Sequence, residues 1–229
     1  MNSHYTYFVI LAASLAGPIV LSFDKKVAFY KKWKFVFPAM IIPALFYIVW
    51  DFYFTYKGVW HFNETYITGI KIYNLPLEEV LFFFIVPYCC IFIYECIRCY
   101  FPLLKEKKIA DKIFFLMAAA LLITGIIFYD RYYTSWTFVF TAFFISGIYS
   151  FKSYFKSFDA TAFLVSYAIC IIPFLIVNGF LTAIPVVIYN DAENLGWRIY
   201  TIPFEDTFYG MLLVLMNVAI YEKLKVRRH

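Results

Sequence analysis

An all-α integral membrane protein, with seven transmembrane helices arranged as two parallel three-helix repeats joined by a linking helix, is the fold that this sequence predicts. Three observations predict it: an apolar excess, basic residues confined to alternate connections, and an acidic motif that occurs twice at a fixed offset. The 229 residues are 64% hydrophobic and 15% charged, with a mean hydropathy of +0.74. Ordinary soluble domains are about half apolar and about a quarter charged, so this surplus of apolar side chain needs lipid as its solvent. A crossing helix takes about 20 mainly apolar residues, which leaves room for several crossings, short loops and no separate soluble domain.

Charge clusters and turn residues divide the chain into spans at about 5–23, 35–55, 78–99, 113–129, 135–150, 162–181 and 204–221. The first reads as a retained helix, because it lacks a basic leading segment and a small-residue cleavage site before Asp24. The second carries Asp51 near its outer end, after Trp50 and before Phe52 and Tyr53. The third and seventh follow Pro76 and Pro203. A proline costs nothing in a first turn, where its missing N–H would have no partner, so both prolines are predicted helix starts. Glu78, Glu79, Glu205 and Asp206 then fall in first turns. The fourth span links the halves, and the fifth is the shortest.

The connections test this division, since cytoplasmic loops collect Lys and Arg. Lys25, Lys26, Lys31, Lys32, Lys34, Arg98, Lys105, Lys107, Lys108, Lys112, Lys152, Lys156, Lys223, Lys225, Arg227 and Arg228 share one side, and Lys57, Lys71, Arg131 and Arg198 the other. The 16 to 4 division predicts a cell-membrane protein with its N-terminus outside and its C-terminal tail in the cytoplasm. Asp51, Asp130 and the four first-turn acids then gather at the outer boundary.

Sliding the chain by 127 residues lays Asn74-Leu75-Pro76-Leu77-Glu78-Glu79 over Thr201-Ile202-Pro203-Phe204-Glu205-Asp206. The same shift pairs Asn63 with Asn190, Gly69 with Gly196, Tyr73 with Tyr200 and Asp51 with Asn178. One membrane domain, 1–229, is predicted, with repeat one at about 1–104, the linking helix at about 112–130 and repeat two at about 135–229. Repeats of this kind hold their sites at the interface between them.

Acids in a first turn are often ordinary dipole and capping residues, but two equivalent pairs at one depth can converge on a pocket, and intramembrane acids are functional candidates. Neighbouring residues diverge by about 100° around a helix, so one acid of each pair faces any given point. Asn178 opposite Asp51 makes the halves chemically unequal, which suits an acid in one and a base in the other. Cys89, Cys90, Cys96, Cys99 and Cys170 lie in apolar stretches as packing residues. His4, His61 and His229 are scattered, so no metal site is expected. No dinucleotide-binding GxGxxG is present, no cofactor is expected, and the dispersed basic residues do not suggest nucleic acid. With 24% aromatic residues, mostly belt and packing, a pocket of carboxylates among ring faces suits carbocation chemistry: rings stabilise a cation and a carboxyl moves the proton.

Asp51, Trp60 with Phe62, Pro76-Leu77-Glu78-Glu79 followed by Phe82-Phe83-Phe84, Pro185-Val186-Val187, and Pro203-Phe204-Glu205-Asp206 with Tyr209 carry a resemblance over nearly the whole chain. It resembles the membrane-integral lycopene cyclases of the two-subunit or fused type, the form also found as the cyclase domain of fungal bifunctional enzymes. No phytoene synthase domain is expected after His229. The resemblance implies lycopene and other carotenoids as partners within membrane lipid, and an isomerisation without flavin or net redox change. A ψ-end is protonated, a neighbouring double bond attacks the tertiary cation, and loss of a ring proton leaves a β-ionone ring; two turns, through γ-carotene, give β-carotene. It also implies Glu78, Glu79, Glu205 and Asp206 as catalytic carboxylates, with Asp51 beside them, and lateral access from the bilayer is expected for so apolar a substrate. A small-solute transporter with a three-plus-one-plus-three helix plan, a cyclase for another carotenoid end group and a non-catalytic carotenoid binder remain alternatives. A retinal photoreceptor does not fit, since the last span holds no lysine.

Overall fold

The computed structural model describes residues 3–102 and 108–226; Lys105, Lys107, Arg227 and Arg228 of the basic set lie outside the described residues. Seven α-helices form within them: α1 (Thr6–Leu21), α2 (Trp33–Lys57), α3 (Leu77–Tyr100), α4 (Lys108–Ile127), α5 (Tyr132–Ser150), α6 (Ala160–Ala183) and α7 (Asp206–Val226). Apolar side chains circle them rather than forming one stripe, the pattern of helices in lipid or a deep core. Ile42, Val49, Phe115 and Ile172 accordingly point outward and are largely exposed.

Five helices are long and apolar enough to cross a membrane: α2 with the 3₁₀ turn before it, α3, α4, α6 and α7. The other two differ from the expectation. At 16 residues, α1 spans about 24 Å against a hydrocarbon layer of about 30 Å, and α5 is diluted by Thr134, Ser135, Thr137, Thr141 and Ser146.

A second difference lies at the prolines. Six short strands form, β1 (Trp60–Phe62), β2 (Lys71–Ile72), β3 (Leu75–Pro76), β4 (Val187–Tyr189), β5 (Arg198–Ile199) and β6 (Ile202–Pro203), so Pro76 and Pro203 end strands instead of opening helices. Pro76 has φ −58° and ψ 147°, an extended geometry that the proline ring favours as readily as a helical start. The residue after each proline closes the hairpin: Leu77 N–H donates to Ile70 O at 2.8 Å and Phe204 N–H to Trp197 O at 2.9 Å.

These hairpins repeat in detail at the 127-residue offset. Asn63 and Asn190 each cap a short 3₁₀ turn, accepting from Thr65 and Ala192 N–H. Gly69 and Gly196 take φ +83° and +75°, and Tyr73 and Tyr200 take +56° and +60°, a left-handed geometry uncommon outside glycine. Lys71 pairs with Glu64 and Arg198 with Asp191; the Arg198 hydrogen bond holds the Asp191 carboxyl below its usual range.

Strands β1 and β4 join the halves antiparallel, Trp60 opposite Tyr189, His61 opposite Ile188 and Phe62 opposite Val187. His61 and Ile188 are equivalent positions, and a residue facing its own equivalent marks a local two-fold axis. The flanking bonds obey it, Asn63 N–H to Val186 O at 2.9 Å and Asn190 N–H to Val59 O at 2.8 Å. Below, α2 packs on α7 as α6 packs on α3, while α4 lies outside against α5 and α6.

The same relation governs the opposite end of α3 and α7, where Tyr94-Glu95 and Arg98 are matched by Tyr221-Glu222 and Lys225. Each glutamate is buried and held by the other half. Lys225 Nζ donates to Glu95 Oε1 at 2.8 Å, Arg98 Nη1 to Glu222 Oε1 at 2.6 Å and the Tyr221 hydroxyl to Glu95 Oε1 at 2.8 Å, with Lys32 also on Glu95. Removing one partner of such a pair leaves charge poorly compensated in a low dielectric. Glu95→Ala is therefore expected to cost about 3 kcal/mol, near the lower end for buried pairs because its cations are partly exposed. Thermal unfolding in detergent checks this; an unchanged midpoint refutes the clasp.

Candidate active site

Where α3 and α7 begin, two consecutive acids take different directions. Glu78 turns back onto its own hairpin, where its Oε1 accepts the Thr68 N–H at 2.7 Å, and Glu205 does the same with the Leu195 N–H, also at 2.7 Å. The Thr134 hydroxyl adds a third contact, to Glu205 Oε1 at 2.6 Å. Both acids are buried, yet neither reaches the cavity between the halves. They fix the hairpins from which the helices emerge.

Glu79 and Asp206, one residue on, face the pseudo-two-fold axis and line a common chamber with Asp51. Its free volume is about 50 Å³, room for a few water molecules. The Tyr7 hydroxyl donates to Glu79 Oε2 at 2.6 Å and the Tyr209 hydroxyl to Asp51 Oδ1 at 2.7 Å. Tyr133 donates to Asp206 Oδ1; Tyr189, at 2.9 Å, and Asn178, at 3.3 Å, donate to Oδ2. Burial, followed by the Asp206 carboxyl, pushes the Tyr189 phenol on β4 well above its ordinary range, so it remains a donor.

The two halves handle their carboxyl groups differently. In the first, the Asp51 and Glu79 carboxyls lie within hydrogen-bonding reach of each other, and Asp51 Oδ2 has no donor among the described residues. In the second, the position of Asp51 is taken by Asn178, whose amide donates to Asp206. Two facing carboxyl groups need a proton between them, whereas an amide and a carboxylate need none. The two sides of the chamber thus differ in chemistry, a pair of carboxyl groups on one and a carboxyl with an amide donor on the other.

Aromatic rings close the remaining walls. Trp60 lies edge-on to Tyr133 at 5.2 Å, Tyr133 stacks on Tyr189 at 5.7 Å, and Trp60 lies 6.0 Å from Tyr209. Ring faces supply negative potential without a full charge and attract cations. Among the described residues no three His, Cys, Asp or Glu side chains are placed to hold one metal ion.

Of the five acids singled out in the sequence, the structure thus brings three together, Asp51, Glu79 and Asp206, and separates Glu78 and Glu205. Sequence reasoning missed Tyr7, Tyr133 and Tyr189. Tyr189 left a signal, since the 127-residue shift places it on the aromatic Phe62; Tyr7 and Tyr133 left none, because their equivalents are Thr134 and Thr6.

A family model described as lycopene cyclase matches residues 4–97 and 130–224, two segments offset, within a residue, like the paired motifs. Comparison with curated proteins and with solved structures returned no match.

The hairpin acids and the chamber acids differ in what substitution removes. Glu205→Ala leaves the part-buried Leu195 N–H and the buried Thr134 hydroxyl without this acceptor, a loss of about 1–3 kcal/mol. Glu205→Gln keeps Oε1 and is expected to cost less than half as much. Unfolding midpoints in detergent compare them; equal losses for Ala and Gln would show that the hairpin is not held through this oxygen.

Proposed function

The chain belongs to the lycopene cyclase family, and we propose that it cyclises the ψ-ends of lycopene to β-ionone rings, through γ-carotene to β-carotene, using Asp51, Glu79 and Asp206. The observation that carries this reading is the unequal pairing across the axis, carboxyl with carboxyl on one side and carboxamide with carboxylate on the other.

The Asp51–Glu79 pair shares a proton and delivers it to the terminal double bond of the end group, giving a tertiary cation. The adjacent double bond attacks that cation, forming the ring bond and moving the charge to a second tertiary carbon. Asp206, an acceptor from three donors, takes the neighbouring ring proton, and the electrons of that C–H bond become the ring double bond. One proton enters and one leaves, so the reaction is an isomerisation with no oxidant or reductant. The rings of Trp60, Tyr133 and Tyr209 lower the energy of both cations, and general acid and base contributions of this kind are each worth about 10²–10⁴-fold in rate.

Five apolar helices, uncovered apolar side chains and the charge asymmetry support a membrane fold of seven crossings, with α1 and α5 completing the count. One membrane unit then holds repeat one at about 1–104 and repeat two at about 135–229 around the linking helix, its N-terminus outside and its C-terminal tail in the cytoplasm. Glu78 and Glu205 serve as positioning residues for the hairpins.

Cells that make lycopene and express the chain are expected to convert it to β-carotene, read by pigment chromatography. Asp51→Asn, Glu79→Gln and Asp206→Asn are each expected to lose at least 100-fold with normal membrane insertion, while Glu78→Gln and Glu205→Gln stay within about ten-fold, the lower range of an acid or base contribution being 10². Unconverted lycopene beside abundant wild-type protein would overturn the assignment. Full activity of Asp206→Asn would overturn its role as base.

A further inference from the structure

A second cavity adjoins the acidic chamber. It lies between α1, α3, α6 and α7, has a free volume of about 240 Å³ and shares Phe82, Val86, Phe174, Asn178 and Gly210 with the chamber. Its wall is apolar, with Cys89, Cys90 and Cys170 in the middle, and its outer rim is formed by Pro18 on α1 and by Pro173 and Ile176 on α6. Ile176 is 56% exposed, so the rim opens on the side of the bundle that lipid covers. The narrow point toward the acids is Gly210. A Cβ there would meet Phe174 Cε2 at 3.4 Å and the Tyr167 hydroxyl at 3.6 Å.

The pseudo-two-fold axis demands a counterpart between α5, α7 and α2, and a cleft lined by Phe46, Phe140, Gly147 and Met216 lies there. None of the residues lining it lines the acidic chamber. The offset explains why. The equivalents of Gly210, Phe174 and Val177 are Phe83, Tyr47 and Trp50, and they fill the corresponding passage. Phe83 lies 5.4 Å from Tyr47, Tyr47 lies 4.7 Å from Tyr209, and Trp50 lies 5.4 Å from Tyr209 and 5.1 Å from Phe140. A glycine and a valine on one side, against a phenylalanine and a tryptophan on the other, leave one passage open and one closed.

We propose that the open cavity is the polyene subsite, which admits an acyclic hydrocarbon chain from the lipid between α1 and α6 and holds it behind the end group presented to Asp51, Glu79 and Asp206. The occupant follows from the lining: a long, uncharged, flat chain fits an apolar slot that opens to lipid and ends on carboxyl groups, and a hydrated solute does not. Gly210 and Val177 set the width of the passage. The chemistry at its inner end rests on the cyclase reading above.

The test converts the open passage into the closed one. Gly210→Phe and Val177→Trp, each reproducing the blocked side, are expected to lower lycopene conversion at least ten-fold in liposomes containing the purified full chain. Gly147→Leu fills the other cleft, where a Cβ meets nothing within 4 Å, and is expected to stay within two-fold of wild type. A second measurement needs no substitution: lycopene in the vesicles should slow N-ethylmaleimide labelling of Cys89 and Cys90 at least five-fold and leave Cys96 and Cys99, which do not line the cavity, unchanged. Folded Gly210→Phe with near wild-type conversion overturns the subsite, as does labelling of all four thiols at the same rate with and without lycopene. If wild-type protein leaves lycopene unconverted, the cyclase reading fails and the labelling alone decides whether a polyene occupies the cavity.

Discussion

Seven carboxyl groups are buried among the described residues, Asp51, Glu78, Glu79, Glu95, Glu205, Asp206 and Glu222, in a bundle whose surroundings offer little hydration. An ionised carboxylate cannot be left bare in such a medium, and much of the architecture consists of three ways of meeting that constraint. Glu95 and Glu222 take cations from both halves, and Glu95 a phenol from the opposite one. Glu78 and Glu205 take backbone N–H groups from the hairpin just before them. Asp51, Glu79 and Asp206 take phenols and an amide, with Asp51 Oδ2 left without a donor among the described residues. Only this last solution leaves proton-transfer capacity facing a cavity.

Near-symmetry places these groups and departures from it make them useful. Two equivalent helices bring two equivalent acids to the axis, a cheap way to converge charge from distant parts of a chain. Were the halves identical, the chamber would hold like beside like and could not divide the work of giving and receiving a proton. On the proposed mechanism the exchange of Asp51 for Asn178 separates those tasks, and the exchange of Phe83 for Gly210 leaves a passage on one side. On the polyene subsite proposed above, a substrate with two reactive ends would present them one after the other, withdrawing in between.

Much of this was legible in the sequence, for identifiable reasons. Helix positions follow from apolar length, and the acidic motifs announce themselves because an offset of 127 residues brings Pro76-Leu77-Glu78-Glu79 onto Pro203-Phe204-Glu205-Asp206. The hairpins were not legible, since strands of two or three residues carry no periodicity and a proline serves a strand end as well as a helix start. One acid of each pair was expected to face a common point, but which one was not legible, since that depends on the angle at which α3 leaves its hairpin. The tyrosines at positions 7 and 133 act from α1 and α5, and nothing local distinguishes them from the other tyrosines of the chain. The Tyr-Glu pairs at 94–95 and 221–222 obey the same offset and were within reach of it.

Those distal pairs bear on how such a molecule is made. Each glutamate takes a cation from the other half beside one from its own, Lys225 with Lys32 on Glu95 and Arg98 with Lys225 on Glu222, so a half produced alone would keep one cation and lose the other. Association is then favoured by the energetics of each part. Placing both halves on one polypeptide fixes their stoichiometry at synthesis, and the crossed pairs are completed only when the two halves meet.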